Sequence, residues 1–418
     1  MTTSYPAQFL AVAGTRPEVI KLAPVLMAFA ERSAEAKAAL GVTGQHRNLI
    51  DAALNLFGLT PAFDLNLMRP GQSPAEFMGR ALVDLTTILQ HHQPRPAALI
   101  VQGDTTTATA AAWTGFLSRL PVAHVEAGLR TRDRRQPFPE EINRRTIGLL
   151  ADWHFAPTPR ARDHLLAEGV ASERVLVVGN TVVDALRWLQ QRLTEADLPA
   201  SARRVLDAGY RLVLVTAHRR EAFGTPLRNV LLALRDLVMS FENVRILFPV
   251  HPNPAVQEAT REHLAGVEQI QCVEPLNYRQ FIAAMSRADL IVTDSGGVQE
   301  EASSLGVPTL VTRDQTERPE GVEVGLVRLV GTERRRIVAE AAALLGDSTR
   351  QTRPDRPLNL YGDGQAGRRI VAALLGDANP PPPFVPSIIP TNSSDECRYE
   401  STQDRCGFQW SGPRHSRH

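Results

Sequence analysis

Short, unbroken apolar runs recur along this chain, separated by longer helical stretches. The first set is Phe9–Ala13, Leu99–Gln102, Val122–Val125, Trp153–Ala156 and Val175–Val178. After a helical stretch from about Asp184 to Leu198 a second set follows: Leu212–Thr216, Val244–Val250, Ile270–Val273, Leu290–Thr293 and Thr309–Thr312. The runs are continuous rather than alternating, as in strands covered on both faces. Such strands are parallel, and the stretches between them supply the crossover helices that parallel pairing requires. The two sets predict an α/β chain of two Rossmann-like, doubly wound domains facing across a cleft. The expected division is 1–185 and 186–363, with a last helix over 364–375 packing back on the first domain. A chain of 418 residues agrees with two or three domains at roughly 150 residues each.

Composition excludes several classes. The formal net charge is +1, so no global field recruits nucleic acid or an anionic membrane. No apolar run reaches the roughly 20 residues that span a bilayer. The start of the chain lacks a basic segment followed by a long apolar core, so no secretory signal is expected. Cys272, Cys397 and Cys406 form no CxxC pair, which predicts a reduced, cytoplasmic compartment and no zinc site. Residues 377–418 have no period and many Pro and Ser residues, and are expected to form a disordered tail. Asn392-Ser393-Ser394 fits a glycosylation sequon, read as a chance match without a secretory signal.

The polar motifs fall just after strands. GTRPE (14–18), GDTTT (103–107) and HVEAGLR (124–130) close strands of the first set. TAHRRE (216–221), VHPNP (250–254) and TDSGG (293–297) close strands of the second. In open α/β sheets ligands bind outside the carboxyl ends of strands. The first half of the chain offers carboxylates there, and the second offers cations, hydroxyls and glycines.

Ser295-Gly296-Gly297 runs into a helix whose free N–H groups suit a phosphate. The plainer reading is a tight turn. Glu300 and Glu301 place negative charge in that helix, which fits a nucleoside phosphate with a Glu on its ribose diol better than bare phosphate. His218, Arg219 and Arg220 at a strand end suit a diphosphate, although Arg220 or Glu221 also reads as a local surface pair. His251 reads as a ligand contact or a satisfied turn histidine, with the turn favoured. Arg16 is an anion contact, Pro17 suits a first helical turn, and Lys21 is either a second contact or an ordinary lysine. Asp104, Glu126 and Glu140 come from separate loops without a DxD pair, which suits acid–base work better than a metal cage. For Glu140 a helix N-terminus with dipole-favoured acids explains the residue equally well. These residues point to an enzyme acting on a nucleotide-linked substrate and leave the reaction open.

The motifs taken in order resemble those of one family, the non-hydrolysing UDP-N-acetylglucosamine 2-epimerases. GTRPEVIKLAP, GQHR, GDTTT, HVEAGLRT, PFPEEINR, FAPT, GNTVVDAL, TAHRRE, HPNP, TDSGGVQEEA, TERPEGVEVG and NLYGDGQA carry the resemblance across residues 8–375. It implies the two-domain fold of the GT-B glycosyltransferases, a homodimer, a UDP-sugar substrate, and neither metal nor nicotinamide. It implies interconversion of UDP-GlcNAc and UDP-ManNAc by elimination of UDP to 2-acetamidoglucal and re-addition, supplying ManNAc-type sugars for surface polysaccharide. Asp104, Glu126 and Glu140 match the catalytic carboxylates, and His218 the histidine at the leaving diphosphate. Arg16, Lys21 and Arg318 match substrate contacts, Ser295 and Gly296 phosphate contacts, and Glu301 the ribose contact. Leu276 falls where the uracil meets backbone, and Phe281 where it packs. Three other readings remain: a hydrolysing epimerase releasing ManNAc and UDP, an epimerase of a UDP-linked 2,3-diacetamido uronic acid, and a non-catalytic nucleotide-sugar sensor.

Overall fold

The computed structural model describes residues 7–44, 47–69, 71–219, 222–346 and 358–387. Arg220, Glu221, Asn392, Cys397, Cys406 and the chain from 388 onward lie outside these. The chain divides into two compact units, Met1–Ala185 with Tyr361–His418, and Leu186–Leu360.

The first unit runs β1 (Ala7–Ala13), α1 (Arg16–Glu31), β2 (Ala36–Val42), α2 (Arg47–Phe57), β3 (Phe63–Asp64), α3 (Pro74–His91) and β4 (Ala98–Gln102). It continues α4 (Thr106–Leu117), β5 (Val122–Val125), α5 (Glu140–Leu150), β6 (Trp153–Ala156), α6 (Pro159–Ala167) and β7 (Val175–Val177). Helix α7 (Thr181–Gln190) leads out of the unit. The second unit runs α8 (Ala200–Asp207), β8 (Arg211–Thr216), α9 (Thr225–Ser240), β9 (Val244–Pro249), α10 (Pro254–Leu264), β10 (Ile270–Val273) and α11 (Tyr278–Arg287). It ends β11 (Leu290–Thr293), α12 (Gly296–Ser304), β12 (Thr309–Val311), α13 (Glu320–Glu323), β13 (Val327–Leu329) and α14 (Arg334–Gly346). Helix α15 (Ala366–Leu375) belongs to the first unit.

Every strand pairing is parallel. The first sheet is ordered β3-β2-β1-β4-β5-β6-β7 and the second β10-β9-β8-β11-β12-β13. Winding reverses between β1 and β4 in one sheet and between β8 and β11 in the other, and ligands of doubly wound sheets bind at such switch points. GTRPE and GDTTT follow β1 and β4; TAHRRE and TDSGG follow β8 and β11. Each core lies between its sheet and its helices. Leu10, Val12, Leu99, Val101 and Val122 pack with Phe77 and Leu85 of α3 and the alanines of α4. Val213, Val215, Ile246, Phe248 and Val292 pack with Leu231 and Leu234 of α9 and Ile337 of α14.

The strands named from sequence are all present, and β2, β3 and β13 are additional. Ala36–Val42 is alanine-rich, with Val42 its one β-branched residue to announce a strand; the other two hold two and three residues. Helix α15 lies on α1, where a Cβ on Gly367 would stand 2.6 Å from the Pro24 carbonyl oxygen.

The expectation of a disordered tail fails for residues 377–387. Asp377 pairs with Arg32 at 2.6 Å, Arg369 donates to the Pro382 carbonyl at 2.6 Å, and Phe384 N–H donates to Val177 O at 2.9 Å. Phe384 is 2% exposed. Proline lacks a donor and resists helix and sheet, but the extended strap it favours still packs when an aromatic anchors it. No helix among the described residues is long and apolar enough to cross a membrane.

Candidate functional site

In the first unit the turns after β1 and β4 are tied by one buried carboxylate. Glu18 accepts from Gly14 N (3.0 Å), Thr15 Oγ1 (2.7 Å) and Thr105 Oγ1 (2.6 Å). Burial pushes this carboxyl up to about 7, against the pull of those donors. Gly14 is required for the close approach: a Cβ would sit 2.0 Å from Thr107 Oγ1. Thr105 also caps α4, accepting from Ala108 N at 3.0 Å. Asp104 is thus held at the mouth of this turn. Its Oδ2 lies 2.8 Å from both Nε and Nη2 of Arg144, and its carbonyl accepts from Asn143 Nδ2 at 2.8 Å. Both partners stand on α5, whose first residue is Glu140. The next residue, Glu141, is fully buried; it accepts from Thr131 N at 3.0 Å and lies 3.4 Å from Arg144 Nη1.

Glu126 follows β5 with a left-handed backbone, φ 67°, a conformation that costs a non-glycine residue about 1–2 kcal/mol. Its Oε2 lies 2.5 Å from Lys21 Nζ and accepts a hydrogen bond from Gln102 Nε2. An ammonium and an amide donor thus meet on one oxygen and fix the direction of the carboxylate. Both flanking histidines are buried: His124 meets Gly103 O at 2.8 Å, and desolvation lowers it to about 4 and His154 to about 3. Arg16 is half-buried at the start of α1.

In the second unit the polarity is reversed. Asp294, 2% exposed, follows β11. Its Oδ2 accepts from His218 N (2.7 Å) and Arg219 N (2.8 Å), and its Oδ1 lies 2.8 Å from His218 Nδ1. Burial pushes the Asp294 carboxyl up, but the His218 ring and the two N–H groups outweigh it and hold it below the usual range. Nδ1 faces Asp294, which leaves Nε2 as the ring nitrogen turned away from it. The ring stacks on His251, centroids 5.8 Å apart.

Ser295 is the N-cap residue of α12. A Cβ on Gly296 would stand 2.4 Å from Arg318 Nη1, so glycine here makes room for a guanidinium against the helix start. Arg318 donates from Nε to Glu300 (2.6 Å) and from Nη1 to Glu317 (2.7 Å). Glu300 is therefore paired with a guanidinium and not presented bare to an anion at this turn. Tyr278 donates its hydroxyl to Glu301 Oε1 at 2.7 Å. Leu276 and Phe281 flank Tyr278 around the start of α11 and are both half-buried. Among the described residues no group of three or more His, Cys, Asp or Glu side chains is placed to hold a metal ion.

The UDP-N-acetylglucosamine 2-epimerase family model matches residues 29–375. The chain is 46% identical over 369 residues to the Salmonella typhimurium UDP-N-acetylglucosamine 2-epimerase, covering 87% of this chain and 97% of that one. The chain belongs to the UDP-N-acetylglucosamine 2-epimerase family. The Bacillus subtilis UDP-N-acetylglucosamine 2-epimerase is 43% identical, covering 88% and 94% of the two chains. Among solved structures, the Neisseria meningitidis UDP-GlcNAc 2-epimerase bound to UDP-GlcNAc superposes with TM-score 0.82 at 38% identity, over 88% of this chain and all of that one. The Methanocaldococcus jannaschii enzyme in complex with UDP-GlcNAc and UDP gives 0.75 at 33%, over 88% and 99%.

Within this epimerase, sequence reading located the residues on the strand-end turns and missed what holds them. Lys21 stands on Glu126 rather than at an open surface. Gln102, Arg144, Tyr278, Asp294, Glu300 and Glu317 were not singled out as holding residues. Asp294 and Glu300 sit within the TDSGGVQEEA stretch, Arg144 within PFPEEINR and Glu317 within TERPEGVEVG, and Gln102 directly precedes GDTTT, so proximity to a motif was the available signal.

Proposed function

We propose that this epimerase interconverts UDP-GlcNAc and UDP-ManNAc without net hydrolysis. The C2 proton passes to a carboxylate as the C1–O bond breaks. UDP leaves with the bonding electrons and a C1=C2 double bond forms, giving 2-acetamidoglucal. UDP then adds back to C1 while a proton reaches the opposite face of C2. The observation that carries the reading is the clamped Glu126, a buried carboxylate in a left-handed backbone, held by Lys21 and Gln102. Asp104 and Glu140 complete the proton-handling set, with Asp104 steered by Arg144. His218, fixed by Asp294, meets the departing diphosphate with Arg318 and the Ser295–Gly296 turn, where donors aimed at developing charge act most strongly, and Arg16 is a substrate contact on the first unit. Glu301 takes the ribose diol, and Leu276 and Phe281 the uracil.

A homodimer is part of the proposal. Trp113, Phe116 and Leu117 share one face of α4 at helical spacing and are 36%, 56% and 60% exposed, and Leu149 on α5 is 86% exposed. An apolar face of this kind marks a protein contact.

NMR of UDP-GlcNAc incubated with the protein in heavy water tests the reaction. UDP-ManNAc carrying deuterium at C2 is expected. Free ManNAc as the main product would establish hydrolysis instead, and epimerised product retaining protium at C2 would end the elimination reading.

A further inference from the structure

Tyr278 lies between the two residues assigned to the uracil, Leu276 and Phe281, and its side chain reaches the residue assigned to the ribose. It is 8% exposed, and its hydroxyl donates to Glu301 Oε1 at 2.7 Å. The backbone that carries it is fixed: Asn277 caps α11 by accepting from Gln280 N at 3.0 Å, and the Gln280 side chain answers at Asn277 N. Glu301 is itself buried, in the second turn of α12. A glutamate has three rotatable bonds, and a ligand that must order them loses affinity by doing so. A carboxylate offers about four acceptor positions, of which the phenol takes one.

We propose that Tyr278 is a specificity-determining residue for the nucleoside sugar: its hydroxyl presets the Glu301 carboxylate to recognise a ribose diol. The base-binding segment and the ribose acceptor then form one pre-set surface, and the selected ligand class is ribonucleoside rather than deoxyribonucleoside diphosphates. This rests on the placement of UDP on the second unit proposed above.

Calorimetry on the full chain with UDP, 2′-deoxy-UDP and 3′-deoxy-UDP tests it. The wild-type protein binds UDP more tightly than the form lacking the contacted hydroxyl. Tyr278→Phe weakens UDP by about five- to tenfold, the size of one ordinary net hydrogen bond. It leaves that deoxy form unchanged, so the preference shrinks. Glu301→Gln removes the preference, and Tyr278→Phe added to it removes nothing further. Equal weakening of all three nucleotides by Tyr278→Phe, or a preference kept at its wild-type ratio, overturns the proposal. Equal wild-type binding of all three overturns it too. A wild-type chain that binds no UDP defeats the functional reading itself, a separable outcome.

Discussion

The two units share a winding order and differ in which charge is the tool and which is the holder. In the first unit carboxylates are held by cations: Lys21 on Glu126, Arg144 on Asp104. In the second, cations and an imidazole are held by carboxylates: Glu300 and Glu317 on Arg318, Asp294 on His218. In both, the tool stands on a turn at a strand end and its partner is buried. A buried charge needs such a partner, and the partner also fixes its direction before any ligand arrives. The same frame therefore presents carboxylates on one unit and cations with an imidazole on the other, the division on which the proposed acid–base and anion-binding roles rest.

The largest expected effects test that division. Asp104→Asn, Glu126→Gln and Glu140→Gln should each lower turnover by about 100- to 10,000-fold, the range for losing a general acid or base, while UDP binding measured by calorimetry stays near normal. His218→Ala should also lower turnover more than it weakens UDP binding, but it should permit slow C2 exchange that the carboxylate variants lack. A Glu126→Gln protein that lost UDP affinity instead would dissolve the contrast between the units.

A second comparison concerns buried carboxyls. Asp294 is held below its usual range by its partners, whereas burial raises Glu18 to about 7 from 4.5. Between those two values the folded chain holds a proton that the unfolded chain has released. The Glu18 contribution to stability is thus fully present below 4.5 and is lost as pH rises through about 7. His124 and His154 act oppositely, their contribution present above 6.5 and lost as pH falls. They are common to both proteins in a comparison of wild type with Glu18→Gln. The difference in unfolding free energy, variant minus wild type, should therefore rise by about 3 kcal/mol from pH 4.5 to 7, at 1.36 kcal/mol per unit. Denaturant melts at four pH values measure it, and a flat difference would show that Glu18 stays ionised across the range.

The strap belongs to the first unit, and its effect should be smaller. Phe384→Ala should cost about 2 kcal/mol, below the range for a fully enclosed aromatic because a segment near a unit's edge can peel away locally. Ending the chain at 376 should cost at least as much, whereas ending it at 387 should keep the melting point. Equal melting points for both truncations would show that the strap does not stabilise the first unit.

Much of this was legible in sequence, and what was not has a physical pattern. Continuous apolar runs announce two-sided strands, and a doubly wound sheet then places polar residues at strand ends, so Asp104, Glu126, His218 and Ser295 stood out. Their holders did not, because pairing is tertiary: Lys21 and Glu126 are 105 residues apart, and Arg318 and Glu300 are 18 apart. Glu300 even counted against a phosphate turn until the guanidinium beside it was seen. Phe384 was hidden by its prolines, since a composition that forbids helix and sheet reads as disorder unless the surface that receives it is known.

The finest test exchanges holders rather than tools. Arg144→Leu leaves Asp104 in place but removes both contacts that aim it. Asp294→Asn keeps one acceptor for the His218 turn but loses the charge facing the ring. Each should cost about tenfold, the scale of one charge-assisted contact, and the two losses should appear in different constants. Arg144→Leu should lower kcat with KM unchanged, because Asp104 belongs to the proposed proton-handling set and Arg145, 3.4 Å from Glu141, keeps a cation beside that buried carboxylate. Asp294→Asn should weaken UDP as well, because the cradle that carries His218 and Arg219 loosens with it. Steady-state kinetics paired with UDP calorimetry separate the cases. If Arg144→Leu fell mainly on UDP affinity, or Asp294→Asn halted C2 exchange with affinity intact, the two units would not divide the work by polarity. The shared winding order would then be their only common feature.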